Sequence, residues 1–434
     1  MTTRRKLLSL GGIFAAAAVH PISPSVAQKV ERSKPGNSPL KITKVEPIVY
    51  RFPMDDTPPE ELIVMPPIGA MKEGIGLWNR LDHASPSRFK GYQQTTLVKI
   101  TTDQGIIGWG ECHAPAAPHV HKKVITDLLA PIILGQDARN IEVLWEKMYS
   151  SQRLRGYTSG FYTESIAGVD IALWDIFGKY VDLPVFQLLG GKYRDRIPTY
   201  CSGGSRSRAQ KALDEGFTVI KMGLNKGAGT GDFQRVVEVS ETMGDKGQVL
   251  IDSLGAFKLH EATKVGKELD KLGNIGWFED ALMPEDSSGY PILAQEIDTA
   301  ICAGEGFTNR FQFRDMFTKR ALDIINPDVS RAGGITECKR IADLADIFGV
   351  LFSPHVSTGL PPYVAASIHL AAATPNSVIM EGGNIYGSTS VSGSKGNVLL
   401  KEPLEFHPGY VVVPERPGLG IEFDEKELAK VTIP

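Results

Sequence analysis

Cysteine, charge of one sign and long apolar runs are all scarce in this 434-residue chain. The four cysteines, Cys112, Cys201, Cys302 and Cys338, are far apart in the sequence and form no zinc-type or redox pair. A disulfide scaffold or structural zinc knot is therefore excluded, and unpaired thiols packed in the fold are expected. The net charge is −3, so nothing in the balance points to nucleic acid. The apolar run that opens at Leu7 ends at Val19, well short of the roughly 20 residues a membrane-spanning helix needs. What the chain has is 42% hydrophobic residues, enough for at least one large core and consistent with two domains.

The N-terminus carries Thr3-Arg4-Arg5-Lys6-Leu7-Leu8, a short apolar run and Ser25-Val26-Ala27, a small-x-small cleavage site. Paired arginines make residues 1–27 a twin-arginine export signal, which predicts a periplasmic protein with no stable membrane span. Residues 28–40, rich in Lys, Ser, Pro and Gly, read as a flexible lead-in.

Alternating apolar residues predict strands over 42–50 and 95–100, with a turn at Asp103-Gln104-Gly105 into a third over 106–110. The Pro- and Gly-bearing stretch from Pro53 to Phe89 reads as a functional loop of this unit. Helical patterns follow over 120–134, 141–150 and 163–180. Residues 41–190 are thus expected to form an α+β cap. From 191 to 382, short apolar runs alternate with amphipathic helices: 197–202, 218–222, 249–252, 275–278, 300–303, 324–326, 351–353 and 378–380. Apolar runs of this kind suit a parallel sheet buried on both faces. Residues 383–434 are again strand- and turn-like and are expected to return to the cap.

Lys221, Asp252, Glu279, Glu305, Asp328, His355 and Glu381 recur at intervals of roughly 25 to 30 residues, the length of one strand, one helix and two loops in a (β/α)-barrel. Each closes an apolar run, where such a barrel carries its catalytic groups. Taken singly, Asp252, Glu279 or Glu305 reads as a helix N-cap or solvated acid. Three at consecutive strand ends converge in one mouth, and like charges packed there call for a cation. Hard oxygen ligands with room for water suit Mg2+ better than zinc. His355 with Asp328 beside it reads as an oriented general base. Lys221 faces the negative charge that builds on a substrate carboxylate, and Glu381, when protonated, would bond the same carboxylate. His113, His119 and His121 read as loop residues, and His260 and His369 as helix residues.

This order of residues resembles the enolase superfamily, specifically its mandelate racemase and muconate lactonizing enzyme subgroup. The resemblance also rests on Gly108-Trp109-Gly110-Glu111, Ala167-Gly168-Val169-Asp170 through Trp174-Asp175, and Ala332-Gly333-Gly334-Ile335-Thr336. It implies an α+β cap over a modified (β/α)7β TIM barrel, and Mg2+ on the three acids. It also implies removal of the proton α to a substrate carboxylate to give a metal-stabilised enediolate. Homo-oligomers are common in the family. Two departures stand out. Racemases of the subgroup carry a second lysine at the position of Gly223. The segment from Asp328 to Cys338 looks most like galactonate dehydratases, which place a histidine at the position of Leu254.

The resulting expectation is a Mg-dependent dehydratase of a sugar acid. Its alternatives are a cycloisomerase of a sugar-acid lactone or anhydro acid, and a non-catalytic periplasmic acid-binding protein. Trp78, Arg80, His83 and Arg88 in the cap loop are candidate substrate contacts without assigned roles.

Overall fold

A computed structural model describes residues 38–53, 92–113, 117–224, 231–357, 359–382 and 394–433. The export signal, most of the lead-in and the cap loop with Trp78, Arg80, His83 and Arg88 lie outside the described residues. In the cap, β1 (Ile42–Pro53), β2 (Tyr92–Thr102) and β3 (Ile107–Cys112) form an antiparallel meander. The strands run further than the apolar alternation alone predicts, because β1 and β2 stay paired out to Pro53 and Tyr92. Val98, Ile100 and Cys112 join Ile42 in a core with the cap helices, while Tyr50, Leu97 and Trp109 belong to the larger core that includes the barrel. Both faces of this sheet are thus buried.

The helix Phe161–Val181 lies on the sheet at close range. A Cβ on Gly110 would stand 1.9 Å from the Gly168 carbonyl oxygen, and one on Gly168 would stand 2.4 Å from Cys112 Sγ. Glycine at both positions lets backbone meet backbone. The helical pattern over 120–134 is broken into three: Pro118–Val124, a π-helical turn at Ile125–Leu129, and Ala130–Ile133. Pro131 in the last piece has no N–H to give the preceding turn, and the widened turn absorbs the loss.

Eight strands among the described residues build the barrel: β4 (Arg196–Ser202), β5 (Val219–Gly223), β6 (Gln248–Asp252), β7 (Ile275–Glu279), β8 (Ile301–Ala303), β9 (Ile324–Ile325), β10 (Leu351–Phe352) and β11 (Met380–Glu381). Neighbours from β4 to β10 pair in parallel. The ring closes where β11 pairs with β4 and the Val378 N–H reaches the Phe352 carbonyl. Tyr200, Leu250, Trp277, Cys302 and Ile324 form a packed layer contributed by strands of the barrel. The C-terminal residues divide: β12 (Phe406–His407) and β13 (Tyr410–Val412) form a ribbon along β4, and β14 (Thr432–Ile433) joins the cap sheet beside β1. All four cysteines are buried and unpaired. Among the described residues no helix is long and apolar enough to cross a membrane.

Candidate active site

Strand register sets the site. Asp252 pairs with Glu279 across β6 and β7, Gly223 with Asp252 across β5 and β6, and Asp328 bridges to His355 beyond the ends of β9 and β10. The apolar residues before Asp252, Glu279, Asp328 and His355 help to fill the barrel, and these groups emerge together on one rim. Lys221, expected to end its strand, instead stands third of the five residues of β5, opposite Leu250, because the register sets Gly223 level with Asp252.

Asp252, Glu279 and Glu305 bring one carboxylate oxygen each within 4.8 Å of one another, a group able to hold a metal ion. Glu279 is fixed before any ligand arrives. Trp277 Nε1 donates to its Oε2 at 2.9 Å, and Asn326 Nδ2 and Lys221 Nζ donate to its Oε1 at 2.9 and 3.0 Å. Burial pushes its carboxyl up to about 7; Lys221 opposes the rise, and Asp252 and Glu305 add to it. The ammonium of Lys221 lies 3.2 Å from Asp252 and 4.0 Å from Glu381. Burial works against its charge, but the surrounding carboxylates outweigh burial and hold it well above the ordinary lysine value. One lysine among so many carboxylates leaves an excess of negative charge. Three hard oxygen donors in that excess fit a divalent cation of the Mg2+ type.

His355 and Asp328 form a tight pair. His355 Nδ1 lies 2.8 Å from Asp328 Oδ2, and both side chains are buried. Ser330 donates to Asp328 Oδ1 through its backbone N–H at 2.8 Å and its hydroxyl at 2.6 Å. Burial disfavours the charge on Asp328, yet the hydrogen bond from His355 and the nearby Arg331 hold it well below the usual carboxylate range. An ionised Asp328 makes Nδ1 the protonated nitrogen, which leaves Nε2 for chemistry on the other side. Nε2 lies 2.8 Å from Glu305 Oε2 and 3.7 Å from Glu381 Oε2. Burial lowers the basicity of the ring, but Glu305, Asp328 and Glu381 together raise it well above the usual histidine value. A cation sharing Glu305 would weaken that pull and return the ring towards neutrality.

Glu381, on the last strand, is buried, and its Oε2 has no hydrogen-bond partner among the described residues. An oxygen left without a partner beside Lys221 and His355 marks where a hydrogen-bonding group from outside the protein would fit. The structure therefore brings Lys221, Asp252, Glu279, Glu305, Asp328, His355 and Glu381 into one cluster. Leu254 adjoins it without adding an ionisable group: half-exposed, with φ of 48°, its N–H donating to Asp252 Oδ1 at 3.1 Å. Among the described residues, a Cβ at Gly223 would meet only the Asp252 carbonyl oxygen, at 4.0 Å, so no neighbour among them fills the place of a second lysine.

Sequence reasoning missed Asn326, Trp277, Ser330 and Arg331. Arg331 lies 3.3 Å from Glu305 Oε1 and 3.7 Å from Asp328 Oδ2, between the acid group and the dyad. Ser330 and Arg331 stand within three residues of Asp328, a spacing that signals their proximity. Trp277 shares its strand face with Glu279, and the period of two along β7 carries that signal. The tyrosine at position 363 was missed altogether. Its hydroxyl donates to Asp328 Oδ2 at 2.6 Å from a helix in the next barrel segment. His119 and His121, read as loop residues, lie in the helix Pro118–Val124, with His121 Nε2 2.7 Å from Glu164.

Fold and site together define a capped (β/α)-barrel enzyme with a strand-end acid group facing a buried histidine–aspartate pair. The chain belongs to the mandelate racemase and muconate lactonizing enzyme group of the enolase superfamily. The N-terminal domain of that family matches residues 85–190, and the enolase C-terminal domain-like family matches residues 205–427. The D-galactarolactone cycloisomerase of Agrobacterium fabrum is 31% identical over 358 residues, 78% of this chain and 91% of that protein. The arabinonate dehydratase of Saccharolobus solfataricus is 33% identical over 337 residues, 75% of this chain and 87% of that protein. The crystal structure of the 3,6-anhydro-D-galactonate cycloisomerase from Zobellia galactanivorans superimposes with a TM-score of 0.74 at 30% identity, covering 91% of this chain and 100% of that one.

Proposed function

We propose that this chain is a dehydratase of a sugar acid, an aldonate or aldarate, with His355 as the single base. The observation that carries this reading is the placement of His355 Nε2 against the acid group while Asp328 holds Nδ1 at 2.8 Å. Asp252, Glu279 and Glu305 would hold Mg2+, which supplies a fixed positive charge against the substrate carboxylate and so acidifies its α-hydrogen. His355 Nε2 takes the α-proton, and the electron pair spreads onto the carboxylate oxygens as an enediolate. Lys221 Nζ donates to one of those oxygens, and Glu381, when protonated, donates its O–H to the other, so charge that develops in the transition state meets preset donors. The β C–O bond then breaks with its electron pair on oxygen. The imidazolium of His355 returns its proton to that oxygen on the same face, releasing water. The enol left behind tautomerises to a 2-keto-3-deoxy acid. Neither Gly223 nor Leu254 offers a second acid or base, which favours this same-face course.

A cycloisomerase acting on a lactone or anhydro acid is the second reading, supported by relatives of that activity and by the absence of a histidine at Leu254. There the ring oxygen takes the place of the leaving hydroxyl. The test is a screen of the protein with Mg2+ against aldonic acids, aldaric acids and their lactones, detecting 2-keto-3-deoxy products, with His355→Asn alongside. Product lost in the variant supports the dehydratase. Ring-opened product from a lactone, with none from open-chain acids, supports the cycloisomerase. No solvent deuterium at the α-carbon of any acid, together with Mg2+-dependent binding, would leave the non-catalytic binder. We further propose export by the twin-arginine route, tested by finding the processed chain in the periplasmic fraction and its loss when Arg4 and Arg5 become lysine.

A further inference from the structure

We propose that Tyr363 is a positioning residue for the His355 base, and that the end of cap strand β3 holds Tyr363 in place. The inference rests on the reading of His355 as the base. Tyr363 is fully buried. Its hydroxyl accepts the Ser357 N–H at 3.0 Å, so the phenol is seated from the side of the loop that carries His355. Its one hydrogen goes to Asp328 Oδ2 at 2.6 Å, nearer than the His355 carbonyl oxygen at 3.2 Å. That oxygen is the one His355 Nδ1 uses, and Oδ1 is already taken by Ser330. With both oxygens engaged, the Asp328 carboxylate cannot swing, and the imidazole plane is set with it.

The cap enters through the start of the helix Pro361–Ala372. Pro361 and Pro362 have no N–H, so the free donors of that first turn are the amides of Leu360 and Tyr363. Both point to the buried carboxylate of Glu111 on β3. Leu360 N lies 3.0 and 2.9 Å from its two oxygens, and Tyr363 N lies 3.4 Å from Oε2. Immediately after β3, the His113 ring stacks on the Tyr363 ring at 5.5 Å between centroids. On the other side the ring presses on the His355 loop so closely that a Cβ on Gly359 would lie 1.9 Å from Tyr363 Cδ1. A line of contacts therefore runs from the cap through Glu111, His113 and Tyr363 to Asp328 and His355. The cap does more than cover the barrel: its third strand seats the residue that aims the base.

The test compares Tyr363→Phe and Glu111→Gln with the parent protein. Steady-state kinetics and deuterium incorporation at the α-carbon are measured with galactonate, arabinonate and xylonate as probes. The proton resonance of His355 Nδ1, assigned by its loss in His355→Asn, is recorded alongside thermal unfolding. Tyr363→Phe is expected to lower kcat roughly 10- to 100-fold with KM within about twofold, and to shift or broaden the Nδ1 proton resonance. Glu111→Gln, which keeps an acceptor for the helix amides, should fall between the two. A Tyr363→Phe protein with unchanged kcat and an unchanged resonance overturns the proposal, even if its melting temperature drops. If the parent exchanges none of these acids, the reading of His355 fails, and the resonance still decides whether Tyr363 orients the Asp328–His355 pair.

Discussion

His355 and His369 are both buried, and their surroundings drive them in opposite directions. His355 faces Glu305, Asp328 and Glu381, whose charges overcome desolvation and raise its pKa. His369 sits inside the helix Pro361–Ala372, its Nδ1 accepting the Phe186 N–H at 3.3 Å and its ring stacked on that of Phe186. With only burial acting strongly on it, its imidazole is pushed down to about 4. The consequence for stability follows from proton linkage. Between its unfolded value near 6.5 and about 4, the unfolded chain binds a proton that the folded chain does not. Stability is therefore retained above about 6.5 and is lost as pH falls towards 4, by about 3 kcal/mol. His369→Gln should flatten this acid-side loss relative to the parent; thermal midpoints of both proteins at pH 4.5 and 7.5 check it. An equal pH dependence in the two would assign the loss to other groups.

At the scale of elements, the cap depends on the contact between β3 and the helix Phe161–Val181. The hydrophobic pattern of that helix was legible because its apolar residues recur at helical spacing. The closeness of its approach was not, since glycine in Gly-Trp-Gly-Glu and in Ala-Gly-Val-Asp serves equally well in a turn. The structure gives the reason: Gly110 and Gly168 meet backbone to backbone, with no room for a methyl group. Gly110→Ala is expected to destabilise by about 1–3 kcal/mol or more, because its Cβ would meet a carbonyl oxygen in a buried helix rather than a movable side-chain end. Chemical unfolding compared with Gly105→Ala, a turn position with open space but φ of 75°, separates overpacking from backbone strain. Should Gly110→Ala unfold at the parent midpoint, the close contact contributes nothing. The strands of the barrel were legible to within one or two residues at most ends, since short buried runs between helices have few other ways to pair.

For the whole molecule, the barrel concentrates negative charge on one rim, and a cation bound there stabilises the folded state alone. At a free Mg2+ concentration of about 100 Kd the gain is about 2.7 kcal/mol, so the melting temperature should rise from EDTA to excess Mg2+. Glu305→Gln, which removes one of the three acids, should lose most of that rise. A parent protein whose melting is indifferent to Mg2+, Mn2+ and EDTA would remove the case for a metal on these residues.

The sequence by itself determined the repeat, and with it the barrel and the rim. Short buried runs must end at the rim of the barrel, so Asp252, Glu279, Glu305, Asp328, His355 and Glu381, which end or closely follow such runs, were legible from spacing. Lys221 was legible by the same interval, although it stands third of the five residues of β5. Tertiary structure decided what lies between and behind them. Tyr363 reaches Asp328 from a separate helix, Glu111 reaches that helix from the cap, and Asn326 reaches Glu279 from beyond the end of β9 through a contact that no periodicity encodes. Spacing along a chain reports which strand end a residue occupies. It carries no information about a hydrogen bond between residues separated by 249 positions, because only the packing of cap on barrel brings Glu111 to Leu360.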